Sequence, residues 1–154
     1  MIGKIIKDKY IFTGQKNTRA AAEYQLLNIL QKLALPAPAP IAFRVIKQGM
    51  FYQADLLSTR IENAQDLVAI LSAGKIEEEV WLEVGRVIRR FHDEGIYHHD
   101  LNSHNILLDE NKKVWLIDFD RGEQRKISAA WQQTNMARLL RSFEKEKTRL
   151  ANFY

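Results

Sequence analysis

The sequence predicts an α+β fold in which a helix and two strands precede a mostly helical region. Three observations support this prediction. Leucines recur at helical spacing before a proline-rich connector, two strand-like segments follow the connector, and two longer helical patterns flank a hairpin. The chain has 154 residues, 46% of them hydrophobic and 27% charged, which is ordinary for a globular domain.

The composition excludes several classes of protein. There is no cysteine, so neither a disulfide framework nor a thiolate metal site is possible. No apolar run approaches the ~18 residues that span a bilayer, and residues 1–10 lack the apolar stretch of a signal peptide, so we expect a cytoplasmic protein. The net charge of +4 suits an anionic partner such as ATP or a phospholipid surface. The basic residues are not interleaved with aromatic ones, so we expect no nucleic-acid partner.

The first predicted elements are a helix, a connector and two strands. The helix covers Thr18 to Leu33, with Thr18 as its N-cap. The connector from Leu35 to Pro40 contains three prolines, which cannot continue a helix and favour an extended chain. Strands are predicted over Ile41–Lys47 and Met50–Leu57.

Helices and one hairpin make up the rest of the prediction. A short helix over Ala64–Leu71 precedes a longer one over Glu77–His92, for which Gly95 is the C-terminal stop. A hairpin over residues 105–117 follows, and a final helix covers Ala129–Lys145. The residues expected on the buried face of that helix are Met136, Leu139, Leu140 and Phe143.

The hairpin predicts a cluster of oxygen-bearing side chains. Asn105 begins its first strand and Asp118 follows its second, so both lie at the end opposite the turn. Asp100 lies in the loop that leads into that end. Carboxylate and amide oxygens suit Mg²⁺, so we predict that Asn105 and Asp118 bind the metal and the phosphates. Asp100 would orient a hydroxyl group and accept its proton.

The spacing in this region predicts phosphoryl transfer. His98, Asp100, Leu101 and Asn105 match the kinase pattern H-x-D-L-x-x-x-N, and Asp118 leads a D-F-x triplet. Together they predict a protein-kinase-like centre that uses ATP and Mg²⁺. Two other interpretations stay open. In the first, Asp100 and Asn105 are ordinary turn residues. In the second, the histidines at positions 92, 98, 99 and 104 form a zinc site.

Two further segments complete the predicted ATP site. In kinases a helix glutamate pairs with a strand lysine that holds the phosphates, and Glu23 is the candidate for that glutamate. The spacing offers Lys4 as the lysine, although a surface role for Lys4 is the simpler interpretation. The strand end from Asp55 to Leu57 would contact adenine through its main chain.

Three segments, Glu62–Leu67, His99–Leu108 and Val114–Asp120, resemble 3-deoxy-D-manno-octulosonic acid (Kdo) kinases. The resemblance implies a protein-kinase-like fold and ATP-dependent phosphorylation of the 4-hydroxyl of Kdo in a Kdo-lipid A precursor of lipopolysaccharide. It also implies peripheral contact with the cytoplasmic face of the bacterial inner membrane. By the same resemblance, Asp100 is the catalytic aspartate, and Asn105 and Asp118 are the magnesium ligands.

The sequence departs from protein kinases at two positions near this centre. Asp120 stands where D-F-G has glycine, and Asn102 stands where the catalytic loop usually has lysine. No A-P-E follows, and the stretch after Asp118 is short, so we predict an acceptor that is not a peptide.

The N-terminal region lacks the usual phosphate-binding motifs. The seven glycines form no G-x-G-x-x-G, and no V-A-I-K-like strand is present. We therefore predict an incomplete N-terminal lobe over residues 1–57, with upstream strands missing, and a small, mostly helical C-terminal lobe over residues 58–154. Such a chain resembles an N-terminally truncated family member, and we expect weak or absent activity from it alone. The alternatives are a non-catalytic kinase-like remnant that binds lipid or a partner, and a different small-molecule kinase.

Overall fold

The computed structural model describes residues 10–11 and 18–151 and has a mixed α+β architecture. Its helices are α1 (Arg19–Lys32), α2 (Leu67–Ala73), α3 (Glu78–Asp93), a short 3-10 helix (Ser103–Asn105) and α4 (Ala129–Ala151). Its strands are β1 (Tyr10–Ile11), β2 (Pro40–Gln48), β3 (Phe51–Ser58), β4 (Ala64–Asp66), β5 (Ile96–Tyr97), β6 (Ile106–Asp109), β7 (Val114–Leu116) and β8 (Glu123–Gln124). Within the described residues these strands form antiparallel sheets of order β1-β3-β2, β4-β6-β7 and β5-β8. None of the described helices combines the length and the apolar content needed to cross a bilayer.

The predictions for α1, β2, β3 and α3 are confirmed to within one residue at each end. The Thr18 hydroxyl accepts a hydrogen bond from the Ala21 N–H and so caps α1 as expected. Gly95 ends α3 with a φ of +72°, and a Cβ there would lie 2.3 Å from the Arg125 carbonyl oxygen. Only glycine fits that position, because both the backbone conformation and the space exclude a side chain.

The prediction of a helix over residues 64–71 is wrong in its first three residues. Ala64–Asp66 form β4, and α2 begins at Leu67. Asp66 lies opposite Leu107 in the antiparallel pairing of β4 with β6, so a distant strand fixes the extended conformation. The Asp66 side chain then accepts a hydrogen bond from the Ala69 N–H at 3.0 Å and caps α2.

The predicted buried face of α4 is confirmed for Leu139 and for the partly buried Phe143, but it is wrong for Met136 and Leu140. Leu139 is buried, but Met136 and Leu140 are 43% and 60% exposed. The inward face instead carries Asn135, which is 1% exposed, beside Leu139. Because α4 packs on a polar loop, some of its inward side chains must supply hydrogen bonds, so the hydrophobic period alone does not identify the whole inward face.

One apolar core joins α1, α3 and the β6–β7 hairpin. The residues of this core are Leu26, Leu27, Leu30, Leu35, Ala37, Leu67, Val84, Val87, Ile88, Phe91, Ile96, Leu101, Ile106, Val114, Leu116, Phe119 and Leu139. Phe119 is fully buried and stacks on Phe91, with ring centroids 5.6 Å apart. The core therefore fixes the segment that carries Asp118 and Asp120 on either side of Phe119. The division of the chain at residue 57 stays a prediction.

Candidate active site

The β6–β7 hairpin places Asn105 and Asp118 at the same end. Ile106 lies opposite Leu116, and the Ile117 N–H donates to the Asn105 carbonyl at 3.0 Å. Asp118 therefore directly follows Ile117, the residue that pairs with Asn105. Local pairing alone brings the two together, as the strand lengths in the sequence suggest.

Asp109 shapes the turn at the other end of the hairpin. Its Oδ1 accepts hydrogen bonds from the N–H groups of Asn111 and Lys113 at 2.9 and 3.0 Å, and its Oδ2 accepts one from Trp115 Nε1 at 2.9 Å. Lys112 takes a left-handed φ of +59° inside the turn. These bonds fix the register of the strands, and the register in turn fixes the positions at the open end.

Two asparagines shape the loop that carries Asp100. Asn102 accepts hydrogen bonds from the N–H groups of His104 and Asn105 at 2.9 and 3.1 Å, which caps the 3-10 helix. Its Nδ2 donates to Asp100 Oδ2 at 3.0 Å. Asn105 is buried, and its Nδ2 donates to the Asp100 carbonyl at 2.9 Å. The loop is therefore folded around Asp100, whose side chain is 52% exposed.

His98 joins this loop to the end of the hairpin. Its Nε2 donates to the Ile117 carbonyl at 2.9 Å, and its Nδ1 accepts from the Asp100 N–H at 3.2 Å. A carbonyl only accepts and an amide N–H only donates, so the ring is neutral with its proton on Nε2. Burial lowers the pKa of His98 below its ordinary value. The hydrogen bond to Ile117 and the negative charges of Asp118 and Asp100 raise the pKa, but their effect is smaller than that of burial.

The chain turns sharply at Asp118. Asp118 has a left-handed φ of +63°, and Arg121 has one of +57°. The Gly122 N–H donates to the Phe119 carbonyl at 2.8 Å and closes the turn. A left-handed conformation is unusual outside glycine, although aspartate tolerates it better than most residues. The conformation of Asp118 is thus set by the buried Phe119 and by the turn that follows.

An ion pair ties α1 to the same segment. Arg19 donates from Nε to Asp120 Oδ1 at 3.0 Å, and its Nη2 contacts the other carboxylate oxygen. Glu23 lies one turn further along α1 and is half buried. Lys4, the residue considered as its partner, lies outside the described residues. The sequence pattern singled out Asp120 only as a departure from glycine and did not predict its contact with Arg19.

Asp55 and Leu57 lie in β3, opposite Arg44 and Ala42 of β2. Asp55 Oδ2 accepts a hydrogen bond from Arg44 Nε at 2.9 Å. In the described part of the chain, no side-chain hydrogen bond joins either residue to the cluster around Asp100. Their predicted role depends on the main chain, so it does not require such a bond.

Helix α4 follows the loop along one face. Asn135 Nδ2 donates to the His98 carbonyl at 2.8 Å, and Arg138 Nη1 donates to Asp100 Oδ1 at 3.2 Å. The Ser103 N–H donates in turn to Ser142 Oγ at 2.7 Å. The helix residues are three and four positions apart, which is the spacing of one helical face. Arg138 and its neighbours were not predicted from the sequence. Polar residues at helical spacing give the same sequence pattern whether the helix face contacts a loop or faces solvent.

Asn105 and Asp118 carry oxygen donors of the type that a magnesium ion takes. The Asn105 Nδ2 is engaged by the Asp100 carbonyl, and no hydrogen bond within residues 10–11 and 18–151 uses its Oδ1. That oxygen and the Asp118 carboxylate are the hard ligands that Mg²⁺ takes. In contrast, the same part of the chain contains no group of three or more His, Asp or Glu side chains placed to hold a metal. Both ring nitrogens of His98 are also engaged, so nothing supports the zinc interpretation.

The fold is protein-kinase-like. The solved structure of WaaP in complex with acyl carrier protein matches it with a TM-score of 0.65 and 18% sequence identity. The match covers 88% of this chain and 65% of the WaaP chain. The predicted fold class is confirmed by this likeness.

The chain belongs to the lipopolysaccharide kinase (Kdo/WaaP) family, which it matches over residues 1–153. Its relatives include proteins named 3-deoxy-D-manno-octulosonic acid kinase. One from Vibrio cholerae serotype O1 is 49% identical over 146 residues, and one from Haemophilus influenzae is 48% identical over 154 residues. The alignments cover 95% and 96% of this chain but 62% and 63% of the relatives. The predicted family is confirmed, and the chain spans about three fifths of the length of these relatives.

Proposed function

We propose that this chain carries the phosphoryl-transfer centre of an ATP-dependent kinase that phosphorylates the 4-hydroxyl of Kdo in a Kdo-lipid A precursor. The observation that carries the proposal is the network in which His98 and Asn105 hold the main chain of Asp100, so that its exposed carboxylate lies beside the strand end that leads into Asp118. The family and the names of the relatives support the acceptor. Lipopolysaccharide core biosynthesis is the process in which such a kinase would act.

Asp100 would orient the acceptor hydroxyl and accept its proton. Its side chain is 52% exposed and is held by Asn102 at Oδ2 and by Arg138 at Oδ1, so it is accessible and fixed in direction. The hydroxyl oxygen forms a bond to the γ-phosphorus of ATP, and the bond from that phosphorus to the β–γ bridging oxygen breaks. ADP leaves with the electron pair, and the hydroxyl proton passes to the Asp100 carboxylate.

Asn105 and Asp118 would hold Mg²⁺ beside the phosphates. The Asn105 amide is oriented by the Asp100 carbonyl, so its oxygen needs no reorganisation to bind a cation. When bound, the ion would neutralise part of the charge of the phosphates. Asp118 is held in place by the buried Phe119 that follows it.

Glu23, Asp55 and Leu57 would complete the ATP site. Glu23 would orient the lysine that contacts the phosphates, and the Arg19–Asp120 ion pair supports this role because it holds α1 next to the Asp118 segment. The main chain from Asp55 to Leu57 would contact adenine.

We also propose peripheral contact with the cytoplasmic face of the inner membrane. The proposed acceptor is a membrane lipid, and the net charge of +4 favours an anionic surface.

Phosphate transfer from γ-labelled ATP to a Kdo-lipid A precursor tests the proposal. We would assay this chain and a chimeric kinase, in which the chain replaces the matching segment of the Vibrio cholerae relative. We expect the chimeric kinase to phosphorylate the 4-hydroxyl, as read by mass and NMR analysis of the product. We expect Asp100→Asn to lower kcat by about 100-fold or more, and Asp118→Asn to raise the Mg²⁺ concentration that gives half-maximal rate.

Asp93→Asn is the matched control, because Asp93 is 59% exposed on α3, where it forms a surface ion pair with Arg89. We expect its rate to equal that of the parent. Equal rates for Asp100→Asn and the parent would overturn the proposed role of Asp100. Transfer to another sugar but not to Kdo would favour a different small-molecule kinase, and lipid binding without ATP binding would favour a non-catalytic remnant.

A further inference from the structure

We propose that Arg138 of α4 is a further catalytic residue, whose guanidinium binds the transferring γ-phosphoryl group while it contacts Asp100. This inference rests on the proposed function and adds to it a cation that the kinase pattern does not include. Arg138 Nη1 lies 3.2 Å from Asp100 Oδ1, on the same carboxylate that would meet the acceptor hydroxyl.

The guanidinium has donors left for a second anion. Arginine carries five N–H donors in a rigid fork that matches carboxylate and phosphate oxygens. Within the part of the chain that the structure describes, the Arg138 side chain is 42% exposed and hydrogen-bonds to Asp100 through Nη1 alone. Its remaining donors are therefore open to a ligand that approaches Asp100 from solvent.

The loop around Asp100 offers no lysine or arginine of its own. From His98 to Asn105 it contains neither residue, and Asn102 is neutral. The amide oxygen of Asn102 already accepts from the His104 and Asn105 N–H groups. Negative charge on the transferring phosphoryl oxygens is stabilised by fixed cations, and a cation beside Asp100 would act there together with the proposed Mg²⁺. Arg138 is placed to be that cation from another element.

The position of Arg138 is set by its neighbours on the helix and not by its own ion pair. Asn135 binds the His98 carbonyl one turn before it, and Ser142 binds the Ser103 N–H one turn after it. These two anchors hold α4 against the loop on both sides of Arg138. An ion pair as exposed as Arg138–Asp100 contributes little to stability, so the fold does not account for this residue. We therefore expect Arg138→Met to fold.

The test compares Arg138→Met with the parent chimeric kinase. We expect kcat to fall by about 100-fold, with KM for ATP and for the acceptor changed by less than about threefold. Without acceptor, the affinity for MgADP–fluoroaluminate, which mimics the transferring phosphoryl group, should fall at least about tenfold, while that for MgATP stays the same. Arg138→Lys should recover part of the rate, because it restores a single point charge.

Arg141→Met is the matched control. It removes the same charge from the same helix at an exposed position whose side chain forms no hydrogen bond or ion pair within the described residues, and we expect parental kinetics. Arg138→Met with a parental rate would overturn the inference. A raised KM for the acceptor with unchanged kcat and fluoroaluminate affinity would also overturn it, and would assign Arg138 to the acceptor carboxylate. A parent that transfers no phosphate would overturn the proposed function itself.

Discussion

His98 is the residue on which the geometry of the site depends most directly. Its two ring nitrogens bind the Ile117 carbonyl and the Asp100 N–H, so one side chain fixes both the end of the hairpin that carries Asp118 and the loop that carries Asp100. Phe119 packs against the ring, with centroids 4.7 Å apart. Because protonation of Nδ1 would break the bond from Asp100, the ring must stay neutral for the site to keep its shape.

We expect the free energy of unfolding to fall as the pH falls from 7.5 to 5.5. Burial holds the pKa of His98 below its ordinary value of 6.5, so in this window the unfolded chain binds more protons than the folded one. The contribution of His98 is present in full above about pH 6.5 and is lost as the pH falls through that value, with a slope of at most about 1.4 kcal/mol per pH unit. Urea unfolding at several pH values measures it.

His98→Gln provides the comparison for this prediction. We expect it to be less stable at pH 7.5 and to lose less stability on acidification, because the titrating group is gone. Burial also lowers the pKa of His92, which is expected to leave a residual decline in the variant. A decline as steep in His98→Gln as in the parent would contradict the prediction.

At the scale of elements, α1 is tied to the site by the Arg19–Asp120 ion pair. Both side chains are largely buried, at 31% and 20% exposure, and the arginine contacts both carboxylate oxygens. A paired charge of this kind is stronger than an exposed ion pair, because solvent screens it less. The aspartate that replaces glycine after Phe119 therefore has a structural partner on α1.

We expect Asp120→Asn to lower the free energy of unfolding by about 1–2 kcal/mol. The substitution keeps the size of the side chain and removes the charge that Arg19 binds. Urea unfolding monitored by circular dichroism measures the loss. Asp93→Asn, which breaks an exposed pair with Arg89, should change stability by less than about 0.5 kcal/mol. Equal losses in the two variants would show that the Asp120 pair behaves as an ordinary surface contact.

The elements differ in how far the sequence predicted them. The β6–β7 hairpin and the placement of Asn105 and Asp118 follow from local pairing and a turn with strong signals, so they could be predicted. β4 could not, because Ala64–Asp66 become a strand only by pairing with β6. Arg138 could not be found either, because it meets Asp100 from a helix 38 positions away and its residue type is common on exposed faces.

At the scale of the whole molecule, α2, α3 and α4 leave an apolar groove of about 470 Å³. Trp81 stands against Phe143 with ring centroids 5.3 Å apart and an angle of 73° between the planes. The residues that line the groove are Val68, Leu71, Trp81, Leu140, Phe143, Glu144, Glu146 and Lys147. Leu140, which was expected on the buried face of its helix, thus lies at an open surface beside Trp81.

We expect the groove to bind a hydrophobic fluorescent dye, and Leu140→Glu to weaken that binding at least about fivefold, because a charge replaces an apolar wall. Titration followed by dye fluorescence measures the affinity. Leu82→Glu is the control, since Leu82 is 52% exposed on α3 and does not line the groove. Equal weakening by both substitutions would mean that the dye binds elsewhere.

The way in which α4 follows the loop has a consequence for insertions and deletions. One residue inserted between Asn135 and Ser142 would rotate the rest of the helix by about 100° and advance it by about 1.5 Å. Arg138 or Ser142 would then leave its loop partner, and no single compensating substitution could restore the face. A residue added at the tip of the β6–β7 turn would change only a surface loop. Among related proteins, the length of this part of α4 should therefore vary less than its amino-acid sequence.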